Sequence, residues 1–139
     1  MLAIDILKLH NIKRTPARLA ILNALKAFGR PLSELEIKEE MRENYDRITF
    51  YRNIQTLSTA GVIHKIVIDN TLIRYGLSCC SEHHTHCNHK NEHAHFYCEQ
   101  CQSVECLEQV HIPDFALPAG YKLHDNDIII KGRCVKCNS

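Results

Sequence analysis

The sequence predicts an α+β chain in two parts: a helical first part closed by a hairpin, and a small metal-binding second part. Three observations predict it. Residues 1–60 read as successive helices with marked ends. Two β-rich runs follow, at 62–68 and 71–77. Residues 79–101 then hold five of the eight cysteines and six of the ten histidines, a density that no packing pattern requires.

Residues 2–9 (LAIDILKL) form a short amphipathic turn or two. Thr15 followed by Pro16 is an N-cap with proline at the first helical position. Leu19, Leu22, Leu25 and Phe28 share a face, and Gly29 closes the helix. Ser33 and Glu36 make a capping box, while Leu32 and Ile37 make the staple that fixes the entry angle; this helix runs to about Glu43. Asp46 caps the next helix, whose inward stripe is Ile48, Tyr51 or Phe50, Ile54 and Leu57, with Gly61 as its left-handed stop. The runs VIHKIVI and TLIRYGL, joined at Asp69-Asn70, read as a hairpin with a two-residue turn. Helices followed by such a hairpin form a winged helix-turn-helix, in which the last helix enters the major groove.

Residues 78–94 lack apolar periodicity and read as a linker or liganding loop. Short strands are expected at 95–98, 104–106 and 127–131, with Pro113 and Pro118 breaking the segment between. The domain boundary is therefore set between 1–77 and 78–139.

Charge divides along the same line. Residues 1–75 carry 12 Lys+Arg against 8 Asp+Glu, and residues 76–139 carry 5 against 8, so the near-neutral total of +1 conceals a basic first half suited to an anionic partner. The N-terminal segment has too short an apolar run for a signal peptide, and no stretch approaches a membrane span, so a cytoplasmic protein with reduced cysteines is expected.

Cys98-x-x-Cys101 and Cys134-x-x-Cys137 each aim two thiolates at one point, and together they make a closed four-thiolate zinc site. Two disulfides are the alternative pairing, although nothing else in the chain suggests secretion. The helix from Arg47 presents Arg47, Thr49, Arg52, Asn53 and Thr56 away from its apolar face. Arginine can pair with guanine, asparagine with adenine, and threonine or an aromatic ring can meet a thymine methyl. Lys13, Arg14 and Arg18 would neutralise phosphates or enter a narrow minor groove. The plain alternative is a solvated helix face; helix order, hairpin and charge asymmetry together favour DNA.

In these residues the chain resembles the ferric uptake regulators, bacterial metal-dependent repressors that bind DNA as homodimers. The matching segments are Arg14-Thr15-Pro16-x-Arg18 with Ile21-Leu22, and Thr49-Phe50-Tyr51-Arg52-Asn53-Ile54-x-x-Leu57. Gly61-Val62-Ile63, Arg74-Tyr75, His93-x-His95-Phe96-x-Cys98-x-x-Cys101 and Gly132-x-Cys134-x-x-Cys137 follow in order. The resemblance implies that Tyr51 and Arg52 lie on the base-reading helix and that Lys13 and Arg18 contact backbone or minor groove. It also implies that residues 78–139 form a small α/β dimerisation domain stapled by the four-cysteine zinc.

A second, regulatory metal site is implied near the hinge. The iron-sensing pattern would place ligands at positions occupied here by Pro31 and Gly76, neither of which has a donor side chain. Zinc-sensing members resemble this chain more closely, through His64 on the first hairpin strand, Cys79 just past the second, and His93 or His95. Their acidic ligand aligns with Cys106, itself a competent zinc ligand, and such a nitrogen and sulfur set favours zinc over hard iron or manganese. The bland alternatives are a solvent-facing strand histidine for His64 and a small buried hydrophobe for Cys106. Cys80, His83, His84, His86, Cys87 and His89 look like an insertion relative to the family, and would form a metal-acquiring loop or supply ligands in place of those named.

The expected function is thus a zinc-responsive repressor of metal-uptake genes, a homodimer on double-stranded operator DNA with structural zinc and a second regulatory zinc. Iron, manganese or peroxide sensing is the alternative within the family. A metal-buffering protein-interaction module is the alternative from another class. Catalysis is not expected, since no HExxH or HxE…PCxxC pattern is present.

Overall fold

The computed structural model describes residues 1–78, 94–107, 110, 113, 115–123 and 128–139. The chain divides into two compact units, Met1–Cys87 and Asn88–Ser139, so the division falls among residues 79–93, which lie outside the described residues. No helix among the described residues is long and apolar enough to cross a membrane.

In the first unit four helices, α1 (Ala3–Leu9), α2 (Pro16–Phe28), α3 (Glu34–Met41) and α4 (Arg47–Thr59), precede an antiparallel pair, β1 (Ile63–Val67) and β2 (Ile73–Leu77). The expected caps form. Thr15 Oγ1 accepts from the Arg18 amide at 3.2 Å, Asp46 Oδ2 accepts from the Thr49 amide at 2.9 Å, and Gly29 takes the left-handed conformation with φ 63°. Ser33 and Glu36 exchange both bonds of the capping box, at 2.9 and 3.2 Å, and Arg30 steadies the Glu36 carboxylate at 2.8 Å. Leu32 and Ile37 of the staple are fully buried. The helix after Ser33 stops at Met41, two residues short of the expected end near Glu43. Arg42 adopts a positive φ of 53°, and a 3-10 turn covers Arg42–Asn44.

The α4 stripe differs from the expectation. Phe50, Asn53, Ile54 and Leu57 are buried, whereas Ile48 is 64 % exposed and Tyr51 43 %. At about 100° per residue, position 48 lies on the far side of the helix from Phe50. Phe50 anchors an aromatic cluster with Tyr45, Tyr51 and Tyr75, at ring-centroid distances of 5.8, 5.3 and 5.8 Å. Around it Ile21, Leu22, Leu25, Ile37, Met41, Leu57 and Ile63 close the core.

The hairpin also differs in its turn. The β1–β2 register runs from Ile63↔Leu77 to Val67↔Ile73, and the Ile68 amide donates to the Leu72 carbonyl, so the loop is three residues, 69–71. Asp69 Oδ1 accepts from the amides of Thr71 and Leu72, at 2.8 and 2.9 Å, and from the Thr71 hydroxyl. The carboxylate thereby replaces the missing turn glycine. A bridge between Leu32 and Tyr75, with amide–carbonyl bonds of 2.9 and 2.8 Å, fastens the wing to the segment before α3.

The second unit is a three-stranded sheet of β3 (Ala94–Cys98), β4 (Val104–Leu107) and β5 (Ile128–Gly132), in the order β4-β3-β5. Strand β3 pairs antiparallel with β4 and parallel with β5, which brings the end of β3 beside the end of β5.

Candidate metal centre and nucleic-acid interface

The parallel β3–β5 pairing puts Cys98 opposite Gly132, two residues before Cys134, so the topology alone gathers the two Cys-x-x-Cys turns. The four sulfurs of Cys98, Cys101, Cys134 and Cys137 lie within 4.8 Å of one another. Cys101 Sγ and Cys134 Sγ are 3.8 Å apart. That is about the edge of a tetrahedron with metal–sulfur bonds near 2.3 Å, and far from a disulfide bond of about 2.05 Å. All four are free thiols.

Each turn is built to present sulfur. Gln102, at a positive φ of 62°, turns the chain after the first pair, and its amide donates to the Cys98 carbonyl at 2.9 Å. Cys98 Sγ accepts from the amides of Cys101 at 3.5 Å and Cys134 at 3.4 Å. Those backbone donors bring the Cys98 thiol down to about 6. The Ser103 side chain and amide lower Cys101 too. Cys137 is pushed up to about 12, chiefly by sharing its proton with Cys134. Four thiols gathered at one point, with backbone amides already favouring the thiolate of Cys98, are chemically a cation site.

In the same sheet His95 pairs with Cys106 across β3 and β4, which places both side chains on one face. A ring nitrogen of His95 and the Cys106 sulfur lie within 4.8 Å, with His95 buried and Cys106 half-buried. In the first unit His64 is buried on β1, not facing solvent, and pairs with Gly76 on β2. Cys79 and His93 fall outside the described residues, as do Cys80, His83, His84, His86, Cys87 and His89.

For nucleic acid, α4 presents Arg47, Thr49, Tyr51 and Arg52 as an exposed face, and Lys13 and Arg14 are exposed just before α2. Asn53 is not on that face. It is only 7 % exposed, and its Oδ1 accepts from Arg18 Nε at 3.0 Å, while Arg18 Nη1 donates to the Lys13 carbonyl at 2.7 Å. Arg18 and Asn53 therefore join α2 to α4.

Two features depart from the sequence-based expectations or lie outside them. Exposed Ile48 adds an apolar side chain beside Thr49 and Arg52; choosing Phe50 for the core at the helical period would have revealed it. Glu34, the first residue of α3, accepts from the hydroxyls of Tyr45 and Tyr51, at 2.7 and 2.6 Å. Hydrogen bonding to this carboxylate pushes Tyr45 up to about 12 and raises Tyr51. No local sequence signal links these three residues.

A model of the ferric uptake regulator family matches residues 10–91. No curated protein sequence matches. Among solved structures, a zinc uptake regulator complexed with zinc and DNA is 24 % identical, with a TM-score of 0.71 over 98 % of this chain and 90 % of that one. Holo XcZur is 19 % identical with a TM-score of 0.65, covering 98 % of each chain. The Helicobacter pylori ferric uptake regulator Fur, whose structure reveals three functional metal-binding sites, is 20 % identical with a TM-score of 0.61, over 96 % of this chain and 87 % of that one. At these identities the likeness is one of fold.

Proposed function

Because this chain belongs to the ferric uptake regulator family, we propose that it is a zinc-sensing transcriptional repressor that binds operator DNA as a homodimer. Metal-responsive regulation follows from the family; zinc as the signal is our reading. The observation that carries it is donor chemistry. His95 and Cys106 face each other on adjacent strands, and a paired imidazole and thiol suit zinc better than iron or manganese. His64, Cys79 and His93 are the further candidate ligands, of which His64 is a buried histidine on the wing. The four cysteines at the ends of β3 and β5 would hold a separate, structural zinc.

When bound, zinc would supply a redox-inert positive charge held by directed nitrogen and sulfur bonds. The residues do the rest. His64 and His95 would present neutral ring nitrogens, and Cys106 and Cys79 would present thiolates, so occupancy depends on pH. In the DNA-competent dimer, the two α4 helices would meet successive major grooves roughly 34–36 Å apart. Arg47, Thr49, Tyr51 and Arg52 would read base edges and flanking phosphates, and Lys13 and Arg14 the backbone. A ligand set completed only in that state couples metal to DNA by about 1–3 kcal/mol. In this reading residues 1–77 carry DNA binding, and 78–139 carry dimerisation and metal.

Elemental analysis of protein purified without added metal, paired with operator binding across a metal series, tests the proposal. Two zinc ions per chain and a response to zinc at the lowest free-metal concentration are expected. A response to iron or manganese with none to zinc rejects it.

A further inference from the structure

Gly76 stands opposite His64 in the β1–β2 ladder. A Cβ built on Gly76 would lie 2.9 Å from His64 Cε1 and 3.3 Å from its Nε2. On its other side, the same Cβ would lie 3.3 Å from Pro31 Cγ. The imidazole therefore occupies the volume in which any side chain at position 76 would begin. The glycine is not there for its backbone: Gly29, Gly61 and Gly120 have positive φ, and Gly76 does not. A strand glycine of this kind marks a close approach of another group, and here the group is the ring of His64.

Of the two neighbours, Pro31 is the one that cannot yield. Its ring is fixed to the backbone, and the next residue, Leu32, is tied to Tyr75 by two hydrogen bonds of 2.9 and 2.8 Å. The His64 ring, at the end of two rotatable bonds, is the part that would move. We propose that Gly76 is a positioning residue for metal sensing: by lacking a side chain, it sets where the His64 imidazole lies and hence how tightly the sensing metal is held. This rests on the reading of His64 as a ligand. Metal sites tolerate errors of only about 0.2 Å in ligand position, and loss of an orienting group costs about 10- to 100-fold in metal affinity. A ring displaced by a methyl group exceeds that tolerance.

The test is a cycle of full-length Gly76→Ala, His64→Ala and the double variant, with zinc affinity measured by chelator competition. Thermal stability and the imidazole Cε1–H resonance of His64 serve as metal-independent readouts. Gly76→Ala is expected to keep the four-cysteine zinc, shift the His64 resonance and weaken the second zinc by about 10- to 100-fold. In the His64→Ala background the same substitution should have no further effect on zinc. An unmoved resonance, or equal weakening with and without His64, overturns the proposal. If His64→Ala alone retains wild-type zinc affinity, the ligand assignment fails. If His64→Ala weakens zinc and Gly76→Ala does not, the role of Gly76 alone fails. Should Gly76→Ala prove too unstable to assay, the double variant decides: removing the ring must restore stability, and no restoration overturns the steric premise.

Discussion

Arg18 Nε donates to Asn53 Oδ1 at 3.0 Å, across 35 residues of sequence, and the two side chains pin α2 to α4. Both belong to the set that residue type alone assigns to DNA. Their bond redirects the expectation for Asn53, whose amide is committed inside the first unit. We expect Asn53→Ala to lower the unfolding free energy by about 1.5 kcal/mol, the low end for a charge-assisted bond, because half-exposed Arg18 can turn to water. Urea denaturation measures this loss. Unchanged stability together with relaxed base preference would instead make Asn53 a base reader.

Arg52 should behave in the opposite way. It is exposed on α4, so Arg52→Ala should leave the urea midpoint within error while costing about 1–3 kcal/mol on the specific operator and relaxing base preference at one position. Lys13→Ala, two residues before the Thr15 cap of α2, should weaken all sequences alike and flatten the salt dependence of binding. Binding titrations on operator and scrambled DNA at several salt concentrations separate the two. Equal losses on both DNAs for Arg52→Ala would count against base reading by this face.

The contrast between these residues shows what the sequence could carry. Caps at Thr15, Ser33 and Asp46 were legible because each bond closes over three residues. The four-cysteine cluster was legible because a Cys-x-x-Cys turn fixes its own geometry, and strand pairing had only to bring two turns together. Asn53 was not, because its burial depends on a guanidinium 35 positions away. The Asp69 turn is longer than its residue types indicate, because its carboxylate reaches two and three residues ahead to stabilise a three-residue loop. The steric match of His64 with Gly76 needs the ladder register, which a one-residue slip would abolish.

Glu34 makes an alkaline prediction. Its carboxylate holds the Tyr45 proton, pushing that phenol from 10 up to about 12. A phenol raised in the folded state favours folding fully below its unfolded value, so this contribution fades as pH rises from about 10 to about 12. Glu34→Gln should move Tyr45 back toward 10, and the drop in stability across that window should shrink. Tyr75 also titrates at about 12, but mainly through burial, and should move little. Tyrosinate absorbance and stability across the alkaline range check both statements; an unmoved Tyr45 would remove Glu34 as the cause.

The four cysteines make the last prediction, and the chemistry of the cluster sharpens it. Cys98 is buried, receives two backbone amides and is lowered to about 6, whereas Cys137 carries the most reluctant proton of the set, at about 12. In metal-free protein the Cys98 thiolate contributes stability that is complete above the ordinary thiol value near 9 and is lost as pH falls through about 6. The raised Cys137 contributes in the other direction, fully below 9 and lost toward 12. Zinc uptake should replace protons with metal and release them measurably in weak buffer. It should remove the alkaline loss at Cys137 and steepen the loss of stability below 9, because four thiolates are then reprotonated on unfolding. Changing Cys98, Cys101, Cys134 or Cys137 to Ser should each release one tightly held zinc per chain and abolish the dimer, because metal-binding energy in so small a unit is folding energy. Cys98→Ser should do the most damage, since a hydroxyl there stays protonated under the two amides that were meeting a thiolate. Elemental analysis with sedimentation reads both outcomes. A variant of any of the four that keeps its dimer and full zinc content would show that this cluster is not the structural site.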